Sequence, residues 1–317
     1  MQMENTFLLI VGAPKCGTTS LANWLSQHPK FILSEKKEPG FFLKKPEFFI
    51  RTSDGTKVKP TWLVNTLEEY YSMFEVADPE KILVDASTNY LSDPEAPERI
   101  AAFARDHRVK VMCVTRDPID RAFSQYKHAV RDGKETESFL RSLELEETRR
   151  AQGYSHLFAH VNKGRYAEQI NRFRRVFPDM VVMGFTELRN PSAVIRRVEE
   201  LVGLEAGDDH PIDFQIRNES KIYKSRFGRK VARSRKLARL IDGLTGRRGV
   251  IVRGWIDAAL TRRIALDPEA IRFIYGALRD DIEHCLADPE IPTSEWSTTL
   301  EARERAASSI GEYEETA

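Results

Sequence analysis

The stretch LLIVGAPKCGTTSLANWL, residues 8 to 25, constrains the fold most. Phe7 to Val11 is a continuous apolar run, as expected of a strand buried on both faces, and it ends at Gly12. The loop Gly12 to Gly17 then opens a helix expected from about Thr18 to Gln27, with Leu21, Trp24 and Leu25 on one side. A glycine loop between strand and helix offers backbone N–H groups to an anion, and the helix N-terminus adds partial positive charge. The spacing nearly reproduces the triphosphate loop G-x-x-x-x-G-K-[ST], but Thr18 stands where that pattern has lysine. The lysine sits inside the loop at Lys15, from where it reaches the bridging oxygen of a phosphate that carries a transferable group. The competing reading is a strand-to-helix turn that is simply rich in Gly and Thr.

Further apolar runs follow, each trailed by a helical pattern. KILVDAS (81–87) precedes a helix around Pro94 to Asp106, VKVMCVTRDP (109–118) precedes IDRAFSQYKHAV, and MVVMGF precedes NPSAVIRRVEELVGL, which ends at Gly203. This alternation predicts an α/β fold, a P-loop-like three-layer sandwich whose central parallel sheet has helices on both faces. We read one domain, with a core over about 6–205, a basic helical extension over about 214–290 and a frayed tail over about 301–317. Leu43 to Thr66 reads as a polar insertion and Lys134 to Arg150 as a charged surface helix.

At 41% hydrophobic and 31% charged residues, with net charge +1, the chain is neither disordered nor membrane-spanning in composition, and global charge names no partner. The three cysteines, Cys16, Cys113 and Cys285, are widely spaced and suggest neither a disulfide framework nor a zinc site; a cytoplasmic location is expected. Cys16, at a helix N-terminus, is expected to favour the thiolate, and its alkylation to block binding of the loop's ligand unless bound ligand protects it. His128, His156 and His160 lack acidic or thiol partners at ligand spacing, so no metal is expected. From Arg217 to Arg263 Lys and Arg are opposed only by Glu219, Asp242 and Asp257. That segment reads either as a solvated amphipathic helix or as a peripheral contact for an anionic surface, and too few aromatics interleave it to favour nucleic acid.

PKCGTTSL resembles the 5′-phosphosulfate loop of the sulfotransferases that use 3′-phosphoadenosine 5′-phosphosulfate (PAPS) and release 3′-phosphoadenosine 5′-phosphate (PAP). The family's second signature is matched by VTRDPIDRAFSQY. The resemblance implies that Lys15, Cys16, Gly17, Thr18, Thr19 and Ser20 hold the 5′-phosphosulfate, and Arg116 and Ser124 the 3′-phosphate, chemistry that suits a guanidinium fork beside a hydroxyl. Read without the family, Arg116 is a strand-end charge pairing with Asp117 or Asp120.

SEKKEPGFF (34–42) resembles the KE-x-x-FF loop of the heparan-sulfate (glycan) type, which implies that Glu38 is the catalytic base beside Lys37, with Phe41 and Phe42 anchoring the loop. Gly40 replaces the histidine common there. By itself Glu38 reads as one surface charge among Glu35, Lys36 and Lys37. LVDASTNYL is similar to the family's acceptor-lining segment, making Asp85 and Ser87 acceptor-site residues, although Ala86 stands where many members have lysine. NKGRYAEQI implies nucleotide or acceptor contacts from Gly164, Arg165 and Tyr166, and RNESKIYKSR a closure over the phosphates through Asn218, Ser220 and Lys221. The expected activity is therefore sulfuryl transfer from PAPS to a hydroxyl, or less readily an amine, of a carbohydrate or glycosylated metabolite, without a metal. Two other readings remain open. One is a P-loop kinase or NTPase with Asp85 on magnesium; the other is a non-catalytic PAPS-fold protein that binds anionic glycans.

Overall fold

The structure, a computed structural model, describes residues 5–44, 50–51, 56–58, 64–74, 78–205, 212–214 and 264–314. Strand β1 (Thr6–Gly12) leads into helix α1 (Thr18–Leu25) and the short strand β2 (Phe31–Leu33), which the sequence did not announce. A two-residue hairpin, β3 (Ile50–Arg51) with β4 (Lys57–Val58), lies in the predicted insertion, followed by α2 (Leu67–Tyr71). Then come β5 (Ile82–Asp85), α3 (Ala96–Phe103), β6 (Arg108–Thr115) and α4 (Pro118–Arg131). The chain continues through α5 (Phe139–Glu144), α6 (Glu146–Ala151), α7 (Tyr166–Arg174), β7 (Val181–Gly184) and α8 (Pro191–Val202). It closes with α9 (Pro268–Ala287) and α10 (Ser297–Glu314).

Five strands form one parallel sheet in the order β2-β5-β1-β6-β7, flanked by helices, as the alternation of patterns predicted. β1 is central, and Phe7 to Val11 are fully buried, which is why that strand carries no alternation of polar residues. The chain first runs outward on one side of β1 and then returns to β6 on the other. The order therefore switches direction at the C-terminal end of β1, the edge at which open α/β sheets bind ligands. Leu21, Trp24 and Leu25 of α1 are buried against the sheet as their spacing required.

A second apolar cluster joins Ile119 and Phe123 of α4 to Phe139 and Leu143 of α5 and Ile274 and Leu278 of α9. This changes two expectations. The predicted charged surface helix is two short helices that meet at Leu145, with Phe139 and Leu143 buried and the Glu135 carboxylate paired internally with Arg149. The predicted frayed tail begins as helix α10, whose Thr299 and Ala302 are buried. Ala302 packs there, whereas Arg303, Glu304, Arg305 and Ala307 are exposed.

Candidate active site

The loop after β1 is sewn to the sheet by the Ala13 amide, which donates to the Val114 carbonyl at 2.9 Å. Gly17 caps α1 with φ 81°, and a Cβ there would lie 2.3 Å from Leu188 Cδ1, so both conformation and space require glycine. No side chain caps α1 and its first turn carries no acid, which leaves its amides and dipole directed at the cavity in front of the loop. That cavity measures about 390 Å³.

Lys15, Gly17, Thr18, Thr19 and Ser20 line one wall. Lys15 adopts φ 74°, a left-handed conformation uncommon for a residue with a side chain. Burial, with the Arg131, Lys37 and Arg116 charges nearby, lowers its ammonium to about 8. Arg116 lines the same cavity, lies 4.6 Å over the Phe185 ring and donates to the Lys15 carbonyl at 3.5 Å; its carboxylate neighbour is Asp120 at 3.8 Å. Ser124, His128 and Arg131 follow along one face of α4 at steps of four and three residues, all lining the cavity. Burial and the Lys15 and Arg131 charges push His128 below its ordinary value, so its imidazole is neutral.

The opposite wall carries Lys37, Glu38, Thr88, Asn89 and Lys163. Glu38 adopts φ 57°, and it and Lys15 are the non-glycine residues with positive φ among the described residues. Thr88 donates to its Oε1 at 3.4 Å, and the Lys37 ammonium donates to Thr19 Oγ1 at 3.0 Å, tying the Glu38 loop to α1. The Gly40 amide donates to Ser87 Oγ at 3.0 Å and the Phe42 amide to Tyr90 Oη at 3.4 Å, while Phe42 is buried and Phe41 stacks on Tyr70 at 4.6 Å.

Several expected contacts lie elsewhere. Asp85 is fully buried beneath this wall: Ser87 Oγ donates to its Oδ1 at 2.6 Å, and Tyr90 and Tyr70 donate to its Oδ2 at 2.8 and 3.2 Å. Asp85 and Ser87 therefore support the Glu38 loop instead of lining the cavity, and Asp85 is closed to a magnesium ion. Cys16 points inward, its Sγ 3.6 Å from Tyr166 Oη, and burial raises its thiol rather than favouring thiolate. Tyr166 is buried behind the loop, and Arg165 turns to the Ala277 carbonyl at 3.2 Å. Asn218, Ser220 and Lys221, with the basic segment 217–263, lie outside the described residues.

Sequence reasoning missed Arg131, Asn89, His156 and Lys163 as cavity residues. Arg131 was findable, since it follows Ser124 by two helical turns. Lys163 lies in NKGRYAEQI, but the contacts there were expected from Gly164, Arg165 and Tyr166, and only tertiary packing of the turn before α7 brings Lys163 to the cavity.

A parallel α/β sheet with a cation-lined cavity at the switch point and a helix N-terminus facing it defines the class of fold and site. A family profile for the sulfotransferase domain matches residues 5–227, and the chain belongs to that family. The crystal structure of a sulfotransferase from Alicyclobacillus acidocaldarius superposes with a TM-score of 0.59 at 30% identity, over 80% of this chain and 95% of that one. Mouse heparan sulfate glucosamine 3-O-sulfotransferase 3A1 is 28% identical over 200 residues, 62% of this chain and 45% of that protein. Human bifunctional heparan sulfate N-deacetylase/N-sulfotransferase 3 is 28% identical over 205 residues, 62% of this chain and 22% of that protein. The matched stretch thus spans less than half the length of either curated relative. Among the described residues no helix is long and apolar enough to cross a membrane.

Proposed function

We propose that the chain transfers the sulfuryl group of PAPS to a hydroxyl of a carbohydrate or glycosylated metabolite, with Glu38 as general base. The observation that carries this reading is the convergence on one cavity of Lys15 and Glu38, both held at positive φ, with Arg116 and Ser124. Backbone held in a sparsely populated region persists where surrounding structure over-determines it, and such residues cluster at reacting centres.

The donor set suits PAPS. Lys15, Lys37, Arg116, Arg131 and Lys163 face the cavity against the single carboxylate of Glu38 among the described residues, so a bound anion relieves their mutual repulsion. PAPS, when bound, supplies a sulfuryl group joined to a phosphate leaving group. Arg116 and Ser124 hold the 3′-phosphate, and the α1 amides with Thr18, Thr19 and Ser20 hold the 5′-phosphate. Glu38 takes the proton of the acceptor hydroxyl as the acceptor oxygen bonds to sulfur. Lys15 neutralises the charge left on the phosphate oxygen as the old sulfur–oxygen bond breaks. The carbohydrate acceptor rests on the two heparan sulfate relatives and on the Glu38 loop; the kinase reading loses its support with Asp85 enclosed.

Incubation with radiolabelled PAPS and a panel of desulfated and partly sulfated glycans and simple glycosides tests both parts. We expect labelled carbohydrate from the wild type, and turnover lower by about two to four decades for Glu38→Gln, the usual scale for loss of a general base, with PAP affinity retained. No labelled carbohydrate from any panel member overturns the acceptor class, and undiminished turnover of Glu38→Gln removes Glu38 from the role.

A further inference from the structure

Lys163 lies in the 3-10 turn Asn162–Gly164, between α6 and α7. The turn is rigidly mounted. The Glu146 carboxylate accepts the Val161 and Asn162 amides at 2.7 and 2.8 Å, Gln169 Nε2 donates to the Asn162 carbonyl at 2.8 Å, and a Cβ on Gly164 would meet Leu278 at 3.0 Å. From this mount the side chain runs to the cavity wall beside Glu38 and is only 3% exposed. An ammonium has three donor positions, and among the described residues Lys163 uses one, to Asn89 Oδ1 at 2.7 Å, with no carboxylate within 4.0 Å.

Such an arrangement is costly as a purely structural device, because a buried charge without an ion pair is disfavoured. The charged and titratable groups around it are Arg121, Glu38 and Glu146, with His156 and His160 nearby, and burial together with Arg121 lowers the ammonium to about 7 despite the two carboxylates. An anion in the cavity would supply the missing partner. The segment after β5 that reaches this wall offers neither an anion nor a cation, since Thr88 and Asn89 are neutral and Asp85 lies buried beneath them. Asn89 is the link by which that wall acquires a lysine from a different element.

We infer that Lys163 is a binding residue for the transferring sulfuryl group, donating its two remaining N–H groups to sulfuryl oxygens on the Glu38 side while Lys15 serves the leaving oxygen. The inference rests on the PAPS reading above and needs no acceptor for its test. PAPS and PAP differ by the sulfuryl group alone, so a residue that touches that group discriminates between them, whereas one that holds phosphate or adenosine does not.

Calorimetric titration at pH 6.5 with PAP and with PAPS, without acceptor, separates the two cases for wild type, Lys163→Met, Lys163→Arg and Asn89→Ala. For Lys163→Met we expect PAP affinity within about threefold of wild type and PAPS affinity lower by about tenfold or more, the scale of a charge-assisted hydrogen bond. Lys163→Arg should recover part of the PAPS preference, and Asn89→Ala, which removes the acceptor that fixes the ammonium, should lose part of it. Thermal melting adds an independent readout: methionine replaces a poorly paired buried charge, so the midpoint should hold or rise, whereas a lysine with a structural role would lower it. Equal losses for PAP and PAPS, no loss for either, or a lowered midpoint overturns the inference. Failure of the wild type to bind either nucleotide overturns the donor reading itself, and this inference with it.

Discussion

At the scale of single residues, the site is built from cations that the fold holds closer together than they would choose. Lys15 is the clearest case, because burial and three neighbouring cations bring its ammonium to about 8. A bound anion restores the usual preference for the charged form, so binding draws a proton onto Lys15 wherever the free protein has begun to lose it. The sign follows: PAP affinity should hold below about pH 8 and fall as pH rises past it, with net proton uptake near pH 8.5. Calorimetry in two buffers of different ionisation enthalpy measures that uptake, and Lys15→Met should abolish most of it while leaving the protein folded. Gly17 makes the complementary point about geometry. Gly17→Ala should cost about 1–2 kcal/mol from its left-handed conformation alone. Its Cβ would also push Leu188 and approach the Phe185 ring on which Arg116 rests, so PAP affinity should fall with stability. Unchanged PAP affinity in a folded Gly17→Ala protein would show that the loop does not position Arg116.

At the scale of elements, the wall that carries Glu38 is held from below by a chain of hydroxyls on one carboxylate. Asp85 accepts from Ser87, Tyr70 and Tyr90, and Ser87 and Tyr90 in turn accept the Gly40 and Phe42 amides of the loop. Burial outweighs these bonds and raises the carboxyl from 3.8 to about 6. The folded state therefore binds a proton that the unfolded chain lacks between those two values, and stability from this group increases as pH falls through 6. Above pH 6 the buried charge costs about 3 kcal/mol relative to the neutral acid. Urea unfolding of wild type and Asp85→Asn at pH 7.5 and 4.5 isolates the effect. The wild type should gain relative to the variant at the lower pH, and a pH-independent difference would mean the carboxyl titrates normally. The site was only half legible at this scale. Loop Gly12–Gly17 stood out through its own chemistry, whereas Glu38, Arg116 and Ser124 stood out only through the family motifs that their short stretches resemble. Asp85 and Ser87 were visible as residues but misplaced as acceptor contacts, since a strand-end carboxylate looks the same in sequence whether it faces a ligand or the underside of a loop. Cys16 and Tyr166 were misplaced for a related reason: the Cys16 side chain turns from the cavity to Tyr166, which packs behind the loop, while its neighbour Lys15 lines the cavity.

At the scale of the whole molecule, the central sheet was readable from its apolar runs, whereas the docking of the C-terminal helices was not, because it depends on one acid serving two distant elements. Asp117 reads locally as the N-cap of α4, and its Oδ1 does accept the Ile119 and Asp120 amides at 2.9 and 3.2 Å. The same buried carboxylate also accepts Thr299 Oγ1 at 2.8 Å and the Thr299 amide at 2.9 Å, and Thr298 donates to Asp120 at 3.1 Å. Helix α10 is thereby fastened to the residue that follows Arg116 and begins the helix bearing Ser124. Thr299→Val keeps the shape and the amide bond but removes one donor to a buried carboxylate, which should cost about 1.5–3 kcal/mol, the range for hydrogen bonds to charged groups. If α10 serves only to cover α4 and α9, PAP affinity will not follow. If it fixes the start of α4, PAP affinity should fall severalfold in protein that is still folded at the assay temperature, and the loss should be shared with Asp117→Asn. An affinity unchanged in both variants, with stability reduced in both, would confine the contact to packing and leave the 3′-phosphate wall to α4 alone.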